Sequence, residues 1–154
     1  MYKKILAPLD GSEFSERSLE HVKAIASGCH VPEVVLFAVV EPMPQSAEIG
    51  GFVGGEWIYQ AEKQALAWLQ DYLIKSVDKL GGEGINAKIA VAHGKAADEI
   101  LEYASRNKVD LIIMSTHGRS GVARWALGSV ADKVVRHAQA AVLLISPQGS
   151  RTSK

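Results

Sequence analysis

The sequence predicts an α/β protein, a single doubly wound five-stranded parallel sheet with helices on both faces. Three observations predict it. Short apolar runs alternate with longer amphipathic segments along the whole chain. The short runs, such as Val34–Val40 and Leu111–Ser115, are continuous and rich in Val, Ile and Leu, as in strands buried on both faces. The chain has 154 residues, about the size of one compact domain.

The elements follow in order. Ile5–Leu9 is a short apolar run and reads as the first strand. A helix from Ser12 to about Gly28 comes next, with Leu19, Val22, Ala26 and Cys29 at helical spacing. Ser12 is its expected N-cap, and Glu13 and Glu16 suit the positive end of the helix dipole. Cys29 is read as a core residue of this stripe. Val34–Val40 is the second strand. Residues Glu41 to Glu56 hold two prolines and four glycines. That is long for a connection in a compact domain, and such loops serve as lids, partner surfaces or disordered segments.

A long helix from about Trp57 to Leu80 carries Ala61, Ala65, Leu69, Leu73, Val77 and Leu80 on one stripe. Gly81, Gly82 and Gly84 stop it. Ala87–Ala92 is the third strand and Lys95–Asn107 a helix with Ile100, Leu101 and Ala104 inward. Leu111–Ser115 is the fourth strand. A glycine-rich loop leads to a helix from Ser129 to about Ala138, then a fifth strand, Ala141–Ile145. Residues 1–147 thus form one domain, and 148–154 a polar tail. Two sheet orders suit such a chain, 3-2-1-4-5 and 2-1-3-4-5, and periodicity does not choose between them.

Composition narrows the function. Lys+Arg and Asp+Glu both number 17, giving a formal net charge of zero. Non-specific nucleic-acid binders and polybasic membrane-surface proteins rely on a clustered cationic excess that this count does not supply. One cysteine precludes an internal disulfide and fits a reducing compartment. The N-terminal apolar run stops at Asp10, too short for a signal peptide, and no stretch matches a membrane span. A soluble cytoplasmic protein is expected.

In doubly wound sheets, ligands bind beyond the carboxyl ends of the strands. The first strand ends in Pro8-Leu9-Asp10-Gly11-Ser12. The fourth ends in Met114-Ser115-Thr116-His117-Gly118, and Gly128-Ser129 opens the following helix. Glycines permit close backbone approach, and a helix N-terminus with a hydroxyl suits an anion. Arg119 and Arg124 add positive charge. The segment is neither a P-loop nor a dinucleotide fingerprint. Asp10 has two readings, turn cap or ligand contact. His117 reads as an exposed loop residue. His21, His30, His93 and His137 lack ligand spacing, so no metal site is expected. Trp57, Trp68 and Trp125 read as packing or interface residues, not as a base-stacking platform. No serine has a histidine and an acid at recognisable catalytic positions.

These residues resemble the universal stress protein family. Its nucleotide-binding members carry G-x-x-G, nine residues, then G-S/T after the fourth strand. Here the pattern reads Ser115-Thr116-His117-Gly118, nine residues, then Gly128-Ser129, with serine for the first glycine. Lys4–Ser12 is similar to the family's first strand and its Asp-containing turn. The resemblance implies the order 3-2-1-4-5 and bound ATP, alone or with Mg. Pro8, Leu9 and Asp10 are then expected on the adenine and ribose side, with Val39 against the base. Met114 and Ser115 are expected beneath the nucleotide, and Gly118, Gly128, Ser129 and Val130 at the phosphates. Ser115 weakens binding if its position needs a positive φ. The implied function is a nucleotide-dependent switch or sensor in stress response or regulation, with slow hydrolysis at most, working as a homodimer paired through Ala141–Ile145. Two alternatives stand beside it: a nucleotide-independent interaction module and a true nucleotide hydrolase.

Overall fold

The computed structural model describes residues 1–43, 55–81, 84–116 and 127–146. Its strands are β1 (Lys4–Pro8), β2 (Glu33–Val40), β3 (Ala87–His93), β4 (Leu111–Ser115) and β5 (Ala141–Ile145). Its helices are α1 (Glu13–Glu16), α2 (Ser18–Gly28), α3 (Gly55–Leu80), α4 (Ala96–Arg106) and α5 (Ser129–His137). All strand pairings are parallel, and the order is β3-β2-β1-β4-β5. Of the two expected orders, the first is therefore present. The tail 148–154, most of the 41–56 connection and Gly82 lie outside the described residues.

The alternation of side chains along each strand divides the core in two. Ile5, Ala7, Val34, Leu36 and Ile113 face α2 and α3, meeting Leu19, Val22, Leu69 and Leu73. Leu6, Val35, Phe37, Ile112 and Met114 face α4 and α5, meeting Ile100, Ala104 and Val134. Burial on both faces explains why β1 and β4 read as unbroken apolar runs.

Two helix expectations are corrected. The first predicted helix is two, separated at Arg17. The serines explain the break: Ser15 Oγ donates to the Ser12 carbonyl and Ser18 Oγ to that of Ser15. They thereby compete with the helical backbone ladder. Cys29 is exposed rather than core. α2 ends at Gly28, so Cys29 falls off the stripe as its C-cap (φ −99°, ψ 2°) and Val31 takes the buried place. The third helix begins at Gly55, slightly before the expected start.

Charged side chains tie strands and helices at the surface. Glu33 on β2 bridges Lys4 of β1 and Lys88 of β3. These two ammonium groups, Lys88 foremost, hold the Glu33 carboxyl below its ordinary pKa. Lys133 of α5 pairs with Asp98 of α4 at 2.5 Å, which lowers the Asp98 pKa.

Candidate functional site

The crevice forms where two neighbouring strands part company. β1 and β4 pair only at Ile5–Leu111 and Leu6–Ile112. Beyond that, the end of β1 follows β2, with Leu9 N donating to the Phe37 carbonyl at 2.8 Å. The end of β4 follows β5, with Thr116 N donating to the Ile145 carbonyl at 3.1 Å. The divergence opens a cleft of about 530 Å³ at the carboxyl ends of the strands, the position at which doubly wound sheets bind ligands.

Of the residues named from the sequence, the cleft is lined by Pro8, Leu9, Asp10, Val39, Met114, Ser115, Gly128, Ser129 and Val130. The tenth, Gly118, lies outside the described residues, as do His117, Arg119, Arg124 and Trp125. Two segments more than a hundred residues apart in the chain thus meet across one opening.

Asp10 takes up the turn-cap reading. Its Oδ1 accepts from Ser12 N at 2.9 Å and from Ser12 Oγ, so it closes the turn into α1, and it lines the cleft as well. Ser12 is the N-cap of α1, its side chain accepting from Ser15 N at 3.2 Å.

Ser115 sits in regular strand, and its φ is not positive. The backbone there does not require glycine. Its hydroxyl donates to the Phe14 carbonyl at 2.5 Å. The serine thus fastens α1 to the end of β4 across 101 residues of sequence.

Two helix N-termini reach the cleft, and they differ. That of α4 is already met by a carboxylate, since Ala96 N donates to Glu41 Oε1 at 3.2 Å. That of α5 begins at Gly128, which has no side chain to cap it. The first-turn N–H groups of a helix have no acceptor within the helix, and with the dipole they favour an anion. Gly128 also needs to be glycine. Its φ is +35°, and a Cβ there would lie 2.7 Å from the Thr116 carbonyl oxygen.

The sequence reading missed several lining residues. Trp68, Ala65 and Leu69 bring α3 to the cleft, and Glu41, Ala96 and Thr116 complete its rim. Trp68, read as packing, does pack: its ring stacks on Tyr72 at 5.5 Å and 4°. It also forms cleft wall, which no local pattern announces because α3 is distant in sequence. Under it, the Tyr72 hydroxyl is buried with no hydrogen-bond partner among the described residues. Nearby, Ser15 Oγ and Ser76 Oγ already donate to the Ser12 and Tyr72 carbonyls. Burial first, then the Glu16 carboxylate, pushes the Tyr72 pKa up to about 12.

Residues 1–146 match the family model described as the universal stress protein family. Universal stress protein MJ0531 of Methanocaldococcus jannaschii is 34% identical over 148 residues, covering 94% of this chain and 82% of that protein. The structure of MJ0577, from the same organism, superposes with a TM-score of 0.84 at 29% identity, over 97% of this chain and 99% of that one. Two more distant structures share the fold. One is a universal stress protein in complex with cAMP, with a TM-score of 0.69 at 21% identity over 94% and 97% of the two chains. The other is an Arabidopsis thaliana family member with AMP bound, with a TM-score of 0.62 at 17% identity over 98% and 95%.

Proposed function

The chain belongs to the universal stress protein family, and from that premise we propose that it binds an adenine nucleotide, ATP in the first instance, in the cleft between β1 and β4. The observation that carries the reading is the contrast between the two helix starts. The α4 terminus is met by the Glu41 carboxylate, whereas α5 opens on Gly128, close against the Thr116 carbonyl, with no side-chain cap among the described residues. A polyanion gains at α5 and is repelled near Glu41. This polarity supports phosphates at Gly128, Ser129 and Val130. It supports the nucleoside toward Val39, Met114 and the Pro8–Asp10 turn, which are apolar apart from Asp10. Gly118 belongs to the phosphate side of the proposal on sequence grounds alone. The complexes of distant relatives with cAMP and AMP are in keeping with an adenine ligand.

The proposed role is a nucleotide-dependent switch or sensor, with slow ATP hydrolysis at most. The residues that hold the phosphates do so through backbone N–H groups, which bind charge but neither abstract nor deliver a proton. Mg is proposed only as the counter-ion that accompanies ATP. Residues 1–147 are proposed as the nucleotide-binding unit. β5 lies at the sheet edge, and an apolar parallel edge invites pairing with a second copy. A homodimer through Ala141–Ile145 is proposed on that ground, and light scattering at tens of micromolar protein tests it.

The nucleotide reading is tested by denaturing purified protein and chromatographing what is released, with calorimetry using Mg-ATP on protein that emerges empty. Release or binding of an adenine nucleotide is expected. No released nucleotide, together with no heat at millimolar ATP, would overturn the reading and favour a nucleotide-independent interaction module.

A further inference from the structure

We infer that Trp68 is a ligand-contacting residue that gives the cleft a preference for purine over pyrimidine nucleotides; the inference rests on the nucleotide reading above. Trp68 is the one tryptophan among the described residues that lines the cleft. It stands on α3 and lines the cleft with Ala65 and Leu69, as does the Pro8–Asp10 turn. Two contacts fix its ring. One face is stacked on Tyr72, nearly parallel. Its six-membered edge abuts Gly11, where an added Cβ would lie 2.5 Å from Cη2 and 2.9 Å from Cζ3. Gly11 has a φ of +84°, so the backbone and the indole both require the absence of a side chain there.

A ring held this way is rigid, yet 53% of the residue stays exposed. A tryptophan serving only as packing has no need of that exposure. A rigid indole lining a cleft beside the apolar Ala65, Leu69, Val39 and Met114 is suited to stacking on a base. Stacking a base on an aromatic side chain contributes about 1–3 kcal/mol, which is a factor of roughly five to 150 in affinity. The larger π-surface of a purine favours it over a pyrimidine. The position also separates this contact from the phosphate cradle, since Trp68 is on α3 and the cradle is on α5.

The test is calorimetric titration of the full chain and of Trp68→Leu and Trp68→Phe with ATP, UTP and inorganic tripolyphosphate. Leucine keeps an apolar cover for Gly11 and Tyr72 but removes the aromatic face. The expected result is a loss of about tenfold or more in ATP affinity for Trp68→Leu, a narrowed ATP:UTP ratio and tripolyphosphate binding within about twofold of wild type. Trp68→Phe is expected to recover part of the ATP affinity. Equal losses for ATP and tripolyphosphate, or unchanged ATP binding in Trp68→Leu, would overturn the inference while leaving the nucleotide reading in place. Absence of ATP binding by the wild-type chain would overturn both.

Discussion

Replacing Gly128 by alanine perturbs the cleft at the start of α5, and its cost can be worked from the structure. The residue has φ +35° and ψ 149°, a combination open essentially to glycine that costs an L-residue about 1–2 kcal/mol or more. The new Cβ would sit 2.7 Å from the Thr116 carbonyl oxygen. Thr116 cannot easily retreat, because it is buried and its N–H is bonded to Ile145. Overpacking of this kind costs about another 1 kcal/mol or more. The expected destabilisation is therefore about 2–3 kcal/mol, a fall in Tm of roughly 4–12 °C for a chain of this size. The second effect concerns the ligand. ATP at 100 times its Kd should stabilise the wild-type protein by about 2.7 kcal/mol. Gly128→Ala should lose most of that increment, because the start of α5 has to move. Urea unfolding with and without Mg-ATP measures both quantities. A variant as stable as wild type, with its full nucleotide increment, would refute the reasoning.

Three further outcomes are expected. Tyr72→Phe removes a buried hydroxyl with no partner among the described residues and keeps the stacking on Trp68, so it should raise stability by about 1 kcal/mol at neutral pH. In the wild type the folded-state pKa of about 12 lies above the unfolded value of 10.0. Stability is therefore lost as pH rises from 10 toward 12, and the advantage of Tyr72→Phe should widen over that window in alkaline unfolding curves; a constant difference would contradict this. Glu33→Gln removes a carboxylate whose pKa is lowered by Lys88 and Lys4. Its contribution is present above the ordinary 4.5 and disappears as pH falls through the lower folded value. The variant should be less stable by under about 1 kcal/mol at pH 7, with the gap closing in acid; urea midpoints from pH 7 to 3 check it. Ser115→Gly removes the bond to Phe14 and adds a glycine to a strand, which should cost about 1–2 kcal/mol. Its nucleotide affinity should fall as α1 loosens from β4, and a rise measured by calorimetry would show that the serine obstructs the site.

The strands were legible because each carries its own local signal. Continuous apolar runs mark strands buried on both faces, as in β1, β2 and β4, whereas β3, broken by Lys88, and β5 are only partly buried at the sheet edges. The site was legible where the chain delivers it in short segments, at Pro8–Asp10, at Met114–Ser115 and at Gly128–Val130. Their convergence needed the sheet order, which the residues alone left open and the family resemblance supplied. What stayed hidden was set by tertiary or hydrogen-bond detail. Cys29 fits a helical stripe on paper, but the helix stops one residue earlier. Arg17 interrupts an apparently continuous helix because the hydroxyls of Ser15 and Ser18, one on either side of it, take the Ser12 and Ser15 carbonyls. Trp68 has the same helical spacing as a packing residue and becomes cleft wall only because α3 crosses beside Gly11. Ser115 looked like a defect in a glycine motif, and it instead secures α1 through Phe14.

The central claim is that one cleft, between the ends of β1 and β4, receives an adenine nucleotide with its phosphates at the start of α5. Titrating isotope-labelled protein with Mg-ATP while following backbone amide resonances tests it most directly. The largest shifts are expected at Ser129 and Val130, with a second group at Asp10, Val39 and Ser115. Titration with tripolyphosphate should move the first group and leave Val39 in place. Saturating ATP that leaves the Gly128–Val130 amides unmoved, or that shifts residues elsewhere such as the β5 edge, would contradict it.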